Sequence, residues 1–163
     1  MNRKALCLSL FLIFLLVIPG LAWAWSGMVV GVSDDDTIKV MGAHNKQVKI
    51  RLYGVDTPEK GQAFGKKAKQ FTSKMVFGKI VEVEPVDLDR YGRTVGIVKI
   101  EGVILNEELV REGFASVYPQ YCHRPICNTW YLLEMKAHDA KKGLWADPGC
   151  IPPWEFRRDK RSR

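Results

Sequence analysis

The strongest constraint on the fold is an alternating run of residues in the first half of the chain. Val48, Ile50 and Leu52 alternate with more polar residues, among them Arg51 and Tyr53. Successive side chains of a β-strand point to opposite faces, so this spacing predicts a half-buried strand. Arg51 is expected on the face opposite the apolar residues, with Tyr53 on the same side. The sequence therefore predicts a β-sheet with one polar face.

The surrounding segments are β-type or helical. Further strands are predicted at residues 29–32, 37–41, 80–86, 94–100 and 114–118. Apolar residues recur at helical spacing after Phe64, and two further helices are predicted over residues 106–113 and 130–144. About five strands in mostly antiparallel order, with about three packed helices, favour an α+β fold. A five-stranded OB-type barrel fits this count.

The first 24 residues have the pattern of a secretory signal peptide. Arg3 and Lys4 precede an apolar run over residues 5–18, and an Ala-Trp-Ala cleavage sequence ends at Ala24. We expect cleavage after Ala24 and a secreted or periplasmic mature protein. An uncleaved membrane anchor is the alternative, although the run is shorter than the roughly 20 residues that span a bilayer.

Length and charge limit the rest of the chain. The 163 residues suffice for one domain, and 47% hydrophobic and 26% charged residues exclude wholesale disorder. We expect a folded domain over residues 25–150 and a Pro-containing, basic C-terminal tail over residues 151–163. The net charge of +7 falls to +5 without the signal segment, and +3 of that lies in residues 155–163. The folded body is only weakly basic, so the overall charge is weak support for a polyanionic partner.

Three cysteines remain after the signal segment. An exported protein favours a disulfide, and Cys122 with Cys127 is the favoured pair, which leaves Cys150 free. Other pairings stay open, because connectivity cannot be deduced from sequence. A zinc site is disfavoured, since this spacing is not the usual pair of cysteines two residues apart.

The first cluster of residues that could carry out chemistry is acidic. Asp34, Asp35 and Asp36 are adjacent and precede Thr37. Neighbouring carboxylates repel one another unless they are solvated or share a cation, and hard oxygen ligands suit Ca²⁺ or Mg²⁺. The alternative is a solvated acidic turn, in which Asp is common.

A second cluster follows the alternating strand. Arg51, Asp56 and Glu59 lie at the strand end and its exit turn. Pro58 restricts the backbone, so this segment is stiff enough to place a functional group. The alternative is an ordinary turn that carries surface charges.

The third cluster is Asp89-Arg90-Tyr91-Gly92-Arg93. Guanidinium groups grip phosphate oxygens, and a tyrosine ring can stack on a base or sugar. A polar hairpin tip is the alternative. Together the three clusters offer carboxylates for a hard cation, a base and two arginines. These are the groups needed to hydrolyse a phosphodiester.

These motifs, in this order and at similar spacing over residues 30–145, resemble those of the staphylococcal nuclease (thermonuclease) family. Residues 106–113, with Asn106-Glu107 and the closing Gly113, add to the resemblance. It implies an OB-fold barrel with three helices and a Ca²⁺-dependent nuclease that acts on DNA and RNA. We expect a monomer without an obligate protein partner.

The resemblance also implies roles for individual residues. Asp36 and Asp56 resemble the carboxylate ligands of Ca²⁺, with the Thr57 carbonyl as a third ligand. Glu59 matches the residue proposed as general base for the attacking water. The remaining assignments are Arg51 and Arg93 as transition-state stabilisers, Arg90 and Tyr91 at the terminal phosphate and nucleotide, and Tyr118 or Tyr121 in the nucleotide pocket.

Two positions depart from the family pattern. Asp35 stands where the family often has Gly, and the segment after Glu59 is shorter, which predicts a tighter loop beside the base. Two other functions are alternatives to the nuclease. One is a catalytically silent OB-fold that only binds nucleic acid, and the other is an envelope interaction protein that uses the basic tail.

Overall fold

The structure is a computed structural model that describes residues 23–34 and 36–162. Most of the signal segment and Asp35 lie outside the described residues. The strands are β1 (Trp25–Asp34), β2 (Thr37–Met41), β3 (Gln47–Leu52), β4 (Val55–Asp56), β5 (Ile80–Leu88), β6 (Thr94–Ile100), β7 (Val103–Ile104) and β8 (Ser116–Val117). The α-helices are α1 (Gly65–Val76), α2 (Leu105–Arg111), α3 (Ile126–Asp139) and α4 (Pro153–Arg161). Across the described ranges, no helix is both long and apolar enough to cross a membrane.

Five strands close into a barrel. Within the main sheet the order is β3-β2-β1-β5-β6-β7, with antiparallel neighbours throughout. A parallel pairing between β3 and β6, in which Arg51 faces Val95, joins the two sides of the sheet. β4 and β8 form a separate two-stranded ladder. The predicted α+β fold with a five-stranded OB-type barrel is confirmed.

The alternation in β3 is confirmed up to Leu52. Ile50 and Leu52 are fully buried in the core, whereas the Arg51 side chain is partly exposed on the other face. The expectation for Tyr53 is wrong: its ring is buried, and its hydroxyl accepts hydrogen bonds from two backbone N–H groups, at His123 and Arg124. The strand has already ended there, so a period of two no longer assigns its face.

Helices α2 and α3 pack on the barrel and extend its core. A buried side chain, that of Asn106, ties α2 to the strands. Its amide donates to the Tyr53 carbonyl oxygen at 3.0 Å, and its side-chain oxygen accepts from the Val98 N–H at 3.0 Å. The apolar contacts come from Leu105, Leu109, Val110, Trp130 and Leu133.

The described residues form four α-helices, where the sequence predicted about three packed helices. The additional one is α4, which forms in the segment expected to be a basic tail. Pro153 occupies its first turn, where a proline is favourable, and Trp154 stacks on Tyr118 of the main domain. The basic composition of the tail concealed this tertiary contact.

The predicted disulfide between Cys122 and Cys127 is present, and Cys150 is a free thiol. The bridge lies directly against the turn that follows β3. A Cβ atom at Gly54 would come within 2.6 Å of the Cys122 sulfur, and Gly54 has a φ of 68°. Glycine is therefore required there both by space and by backbone conformation.

We predict that Glu134 makes stability depend on pH. Burial raises the pKa of this α3 carboxyl to about 7, although the Val117 N–H hydrogen-bonds to it. The unfolded carboxyl ionises near its ordinary value of 4.5. Between these two pH values the unfolded state holds fewer protons, so stability falls as the pH rises.

Denaturant titrations should therefore show wild-type stability falling by about 1–3 kcal/mol, relative to Glu134→Gln, from pH 5 to pH 8. Glutamine keeps an acceptor for Val117 and stays neutral. Glu82→Gln, which alters an exposed carboxylate, is the matched control and should follow wild type. Parallel curves for Glu134→Gln and wild type would contradict the prediction.

Candidate active site

A single open cleft of about 1320 Å³ collects the residues singled out in the sequence. It lies where β3 ends and where the β5–β6 turn and α4 approach the barrel. The candidate residues in its lining are Asp36, Arg51, Thr57, Glu59, Arg90, Tyr91, Arg93, Tyr118 and Tyr121. Asp56 lies beneath the cleft floor, fully buried. Segments that are distant in sequence therefore meet at one surface.

Arg51 joins the two predicted carboxylate ligands. Its Nη1 lies 2.8 Å from Asp36 Oδ2, and its Nη2 donates to Asp56 Oδ1 at 3.2 Å. β3 positions Arg51, while the β1–β2 turn and β4 position the two carboxylates. One guanidinium group thus holds Asp36 and Asp56 next to each other.

Asp56 occupies an electrostatically unusual position. Burial raises the pKa of its carboxyl, and the nearby Asp36 charge acts in the same direction. The hydrogen bond and positive charge of Arg157, together with the positive charge of Arg51, oppose these effects. A buried carboxylate in such a place requires cationic neighbours, because an uncompensated charge is costly in the interior.

Arg93 is fixed by the turn that contains it. Asp89 Oδ1 accepts the backbone N–H groups of Tyr91 and Arg93, and its Oδ2 accepts Arg93 Nε at 2.7 Å. Partial burial acts against ionisation of Asp89, but these hydrogen bonds outweigh it and lower its pKa. Arg93 Nη1 also reaches the Thr37 hydroxyl at 3.3 Å. Asp89 is therefore a positioning residue for Arg93.

A compact turn holds Glu59. The Glu59 N–H donates to Gln62 Oε1 at 3.3 Å, and the Gln62 N–H donates to the Glu59 carbonyl at 2.8 Å. A Cβ atom at Gly65 would lie 2.3 Å from that same carbonyl oxygen. The start of α1 therefore approaches the turn closely, as the short segment after Glu59 requires.

Aromatic rings line the two ends of the cleft. Tyr91 is exposed at the hairpin tip, with the Arg90 guanidinium 4.9 Å from its ring centre. At the other end, Tyr118 and Tyr121 meet edge to face at 4.8 Å. Trp154 covers the Tyr118 ring in a parallel stack, also at 4.8 Å.

Sequence reasoning missed Arg157, which α4 brings into the cleft. Its Nη2 donates to Asp56 Oδ2 at 2.7 Å, and its Nη1 donates to Glu59 Oε1 at 2.9 Å. These carboxylates are about 100 residues away in sequence, as the separations of 101 and 98 show. The only sequence signal was the basic tail, which is more often a solvated surface.

The residues fit a hard cation. Asp36, Asp56 and the Thr57 carbonyl supply oxygen donors at one end of the barrel, and both carboxylates already attract guanidinium groups. Oxygen donors of this kind suit Ca²⁺ and Mg²⁺. In the part of the chain that the structure describes, no three His, Cys, Asp or Glu side chains gather into a metal-binding group. A set of two carboxylates and a carbonyl leaves the remaining positions to water and substrate.

The chain is similar to proteins of one known family. The family model for "Staphylococcal nuclease homologue" matches residues 49–147. The chain belongs to the staphylococcal nuclease family and is a nuclease, a hydrolase that acts on nucleic acid.

Similar proteins span most of the chain. An "Uncharacterized endonuclease" from Haemophilus influenzae is 40% identical over 161 residues, covering 98% of this chain and 88% of that protein. A "Micrococcal nuclease" from Shigella flexneri is 36% identical over 153 residues, covering 88% and 87%. An "Uncharacterized endonuclease" from Escherichia coli O157:H7 is 42% identical over 135 residues, covering 82% and 86%.

We predict that Gly65 sets the position of Glu59. In Gly65→Ala the new methyl group would meet the Glu59 carbonyl, so the turn must shift. The family resemblance implies that Glu59 is the general base, and displacement of such a group by about 1 Å can reduce the rate about 10²-fold. Gly65→Ala should therefore cleave nucleic acid about 10²-fold more slowly than wild type. Alanine favours helix, so propensity alone would not weaken this variant. Nuclease assays and thermal unfolding check the prediction.

Gly61→Ala is the matched control, since its Cβ would meet nothing within 4 Å. It should cleave nucleic acid at the wild-type rate. Equal rates for Gly65→Ala and Gly61→Ala would show that the close approach does not position Glu59.

Proposed function

We propose that this chain is an exported, Ca²⁺-dependent nuclease that hydrolyses phosphodiester bonds in both DNA and RNA. The observation that carries the proposal is the gathering of Arg51, Arg93 and Glu59 around one cleft, which Asp36 also lines and beneath which Asp56 is buried. Two guanidinium groups are suited to a phosphate that gains negative charge, and a carboxylate beside them is suited to accept a proton.

In the proposed reaction, Glu59 accepts a proton from a water molecule as the water oxygen attacks phosphorus. The bond from phosphorus to the leaving 5′ oxygen then breaks, and that oxygen takes a proton from a solvent water molecule. Arg51 and Arg93 stabilise the extra negative charge on the pentacoordinate phosphorus group. Guanidinium is a poor acid, so their contribution is electrostatic and not proton donation.

Asp36, Asp56 and the Thr57 carbonyl would hold the Ca²⁺ ion. Bound there, Ca²⁺ would polarise a phosphoryl oxygen and offset the charge of the substrate. The hard oxygen donors support this assignment, and the flexible coordination of Ca²⁺ suits a site that is completed by water and substrate.

Recognition of the substrate is proposed to rest on phosphate contacts and stacking. Arg90 and Tyr91 at the hairpin tip would contact the terminal phosphate and nucleotide, and Tyr118 or Tyr121 would form part of the nucleotide pocket. Stacking tolerates any base, since every base has a π-face. This supports action on both DNA and RNA, and we propose that the protein acts as a monomer.

Export is proposed from the leader pattern, and two structural features support it. β1 begins at Trp25, the residue after the proposed cleavage site, and the disulfide is suited to an oxidising compartment. Mass spectrometry of the exported protein should give Trp25 as the first residue. A chain that retains the leader would favour the uncleaved anchor instead.

We predict that Glu59→Gln and Arg93→Ala each fold normally and lose activity. Loss of a base or of a charge-stabilising donor typically reduces the rate by about 10²–10³-fold. Plasmid cleavage in Ca²⁺ and in EGTA, with circular dichroism as the folding check, measures both effects. Wild-type cleavage should require Ca²⁺.

Matched controls remove the same charges outside the cleft. Glu82→Gln alters an exposed strand residue, and Arg111→Ala alters a surface arginine paired with Glu107 and Glu108. Both should cleave at near wild-type rates. DNA binding by the wild type without Ca²⁺-dependent cleavage would favour the silent binding protein instead.

A further inference from the structure

Helix α4 lies beyond residues 49–147, the region that matches the family model. It nevertheless contacts Asp56, which is buried beneath the floor of the cleft. Arg157 bridges Asp56 and Glu59, with donor–acceptor distances of 2.7 and 2.9 Å, and its side chain is only 30% exposed. Charge-assisted hydrogen bonds of this length are strong ones.

Both oxygens of the Asp56 carboxylate are engaged by arginines. Arg51 donates to Oδ1, and Arg157 donates to Oδ2. A divalent cation that takes Asp56 as a ligand must approach the same carboxylate, where it would meet two positive groups. A divalent cation on this carboxylate and the two guanidinium groups would repel one another, so cation binding favours the loss of one guanidinium contact. Arg157 belongs to the separate helix, so it is the group that can leave without disturbing the barrel.

Glu59 is affected in the same way. One of its carboxylate oxygens accepts the Arg157 hydrogen bond, so part of the acceptor capacity of Glu59 is already used. A single side chain of α4 therefore contacts both the proposed metal ligand Asp56 and the proposed base Glu59.

Two further contacts hold α4 in place. Trp154 stacks on Tyr118 with an interplanar angle of 6°, which covers one face of the Tyr118 ring. Just before the helix, the Ile151 carbonyl accepts a hydrogen bond from the Gln62 side chain at 2.8 Å. Gln62 belongs to the turn that holds Glu59, so the anchoring of α4 and the position of the base are linked.

We propose that α4 is an autoinhibitory lid, in which Arg157 takes the place of the cation on Asp56 and engages the base Glu59, and Trp154 covers one face of Tyr118. This inference rests on the proposed function, since it uses the roles assigned to those residues. Ca²⁺ competes with Arg157, and binding of Ca²⁺ releases the helix.

The remaining basic residues of α4 suit the open state. Lys160 and Arg161 line an adjacent cavity of about 590 Å³ together with Lys60 and Arg90. Among the described residues, none of these four basic side chains forms an ion pair with a carboxylate. The phosphates of a nucleic-acid strand in the cleft would attract Lys160 and Arg161. This attraction would favour movement of α4 away from the carboxylates of Asp56 and Glu59.

The first test measures Ca²⁺ affinity by isothermal titration calorimetry on the mature protein. Arg157→Gln should bind Ca²⁺ about 5- to 150-fold more tightly than wild type, the usual range for coupling between two sites. Arg158→Gln is the matched control, because it removes the same charge from an exposed position on the same helix. It should bind Ca²⁺ nearly as wild type does.

A second variant and a second measurement keep the test independent of that substitution. Trp154→Ala removes the stack without touching the carboxylates and should also tighten Ca²⁺ binding. Hydrogen exchange of the wild-type protein should show faster exchange of the amides of residues 153–161 once Ca²⁺ is added. Thermal unfolding confirms that each variant is folded.

The outcomes separate the lid from the proposed function. If wild type cleaves with Ca²⁺ but Arg157→Gln binds Ca²⁺ no more tightly than Arg158→Gln, the lid is overturned and the nuclease proposal stands. Unchanged exchange in α4 on Ca²⁺ binding would also overturn the lid. If wild type, Arg157→Gln and Trp154→Ala neither bind Ca²⁺ nor cleave with it, both proposals fall.

Discussion

The Asp56 carboxylate is the constraint on which the rest of the structure depends. It has no exposed surface, and an ionised carboxylate in the interior costs several kcal/mol unless opposing charges surround it. Arg51 from the barrel and Arg157 from the last helix supply those charges on opposite oxygens. Three elements therefore meet at this side chain: the barrel end, the β4–β8 ladder and α4. A change in charge on any of them alters the electrostatic environment of Asp56.

The residues of the cleft divide into two groups with different support. Arg51 and Asp56 lie on strands whose neighbouring residues are buried, so their directions are fixed by the core. Tyr91 stands at an exposed hairpin tip, where Asp89 orders the turn and the tyrosine is 69% exposed. Arg51 and Asp56 are thus held more firmly than Tyr91, as expected where the proposed reaction tolerates less displacement than base stacking does.

The barrel and the three clusters could be predicted because each is a local pattern. The alternation around Ile50 is a property of one strand, and the clusters follow strand ends that the barrel brings together. Local patterns failed where tertiary contacts decide. Tyr53 is buried because the strand has ended and its hydroxyl meets the backbone near the disulfide. Arg157 could not be found at all, since its partners are about 100 residues away and its own neighbours look like a solvated tail.

The parallel pairing of β3 with β6 has a consequence for how this protein can change. It sets Ile50 opposite Thr94, and thereby places Arg51 beside the strand that begins directly after Arg93. A shift of one residue in this register would turn Arg51 inward and an apolar neighbour outward. Mutations that repack the barrel interior therefore also change the spacing of the two guanidinium groups. With the proposed roles of Arg51 and Arg93, evolutionary drift in the core is limited by the geometry of the substrate phosphate as well as by the stability of the fold.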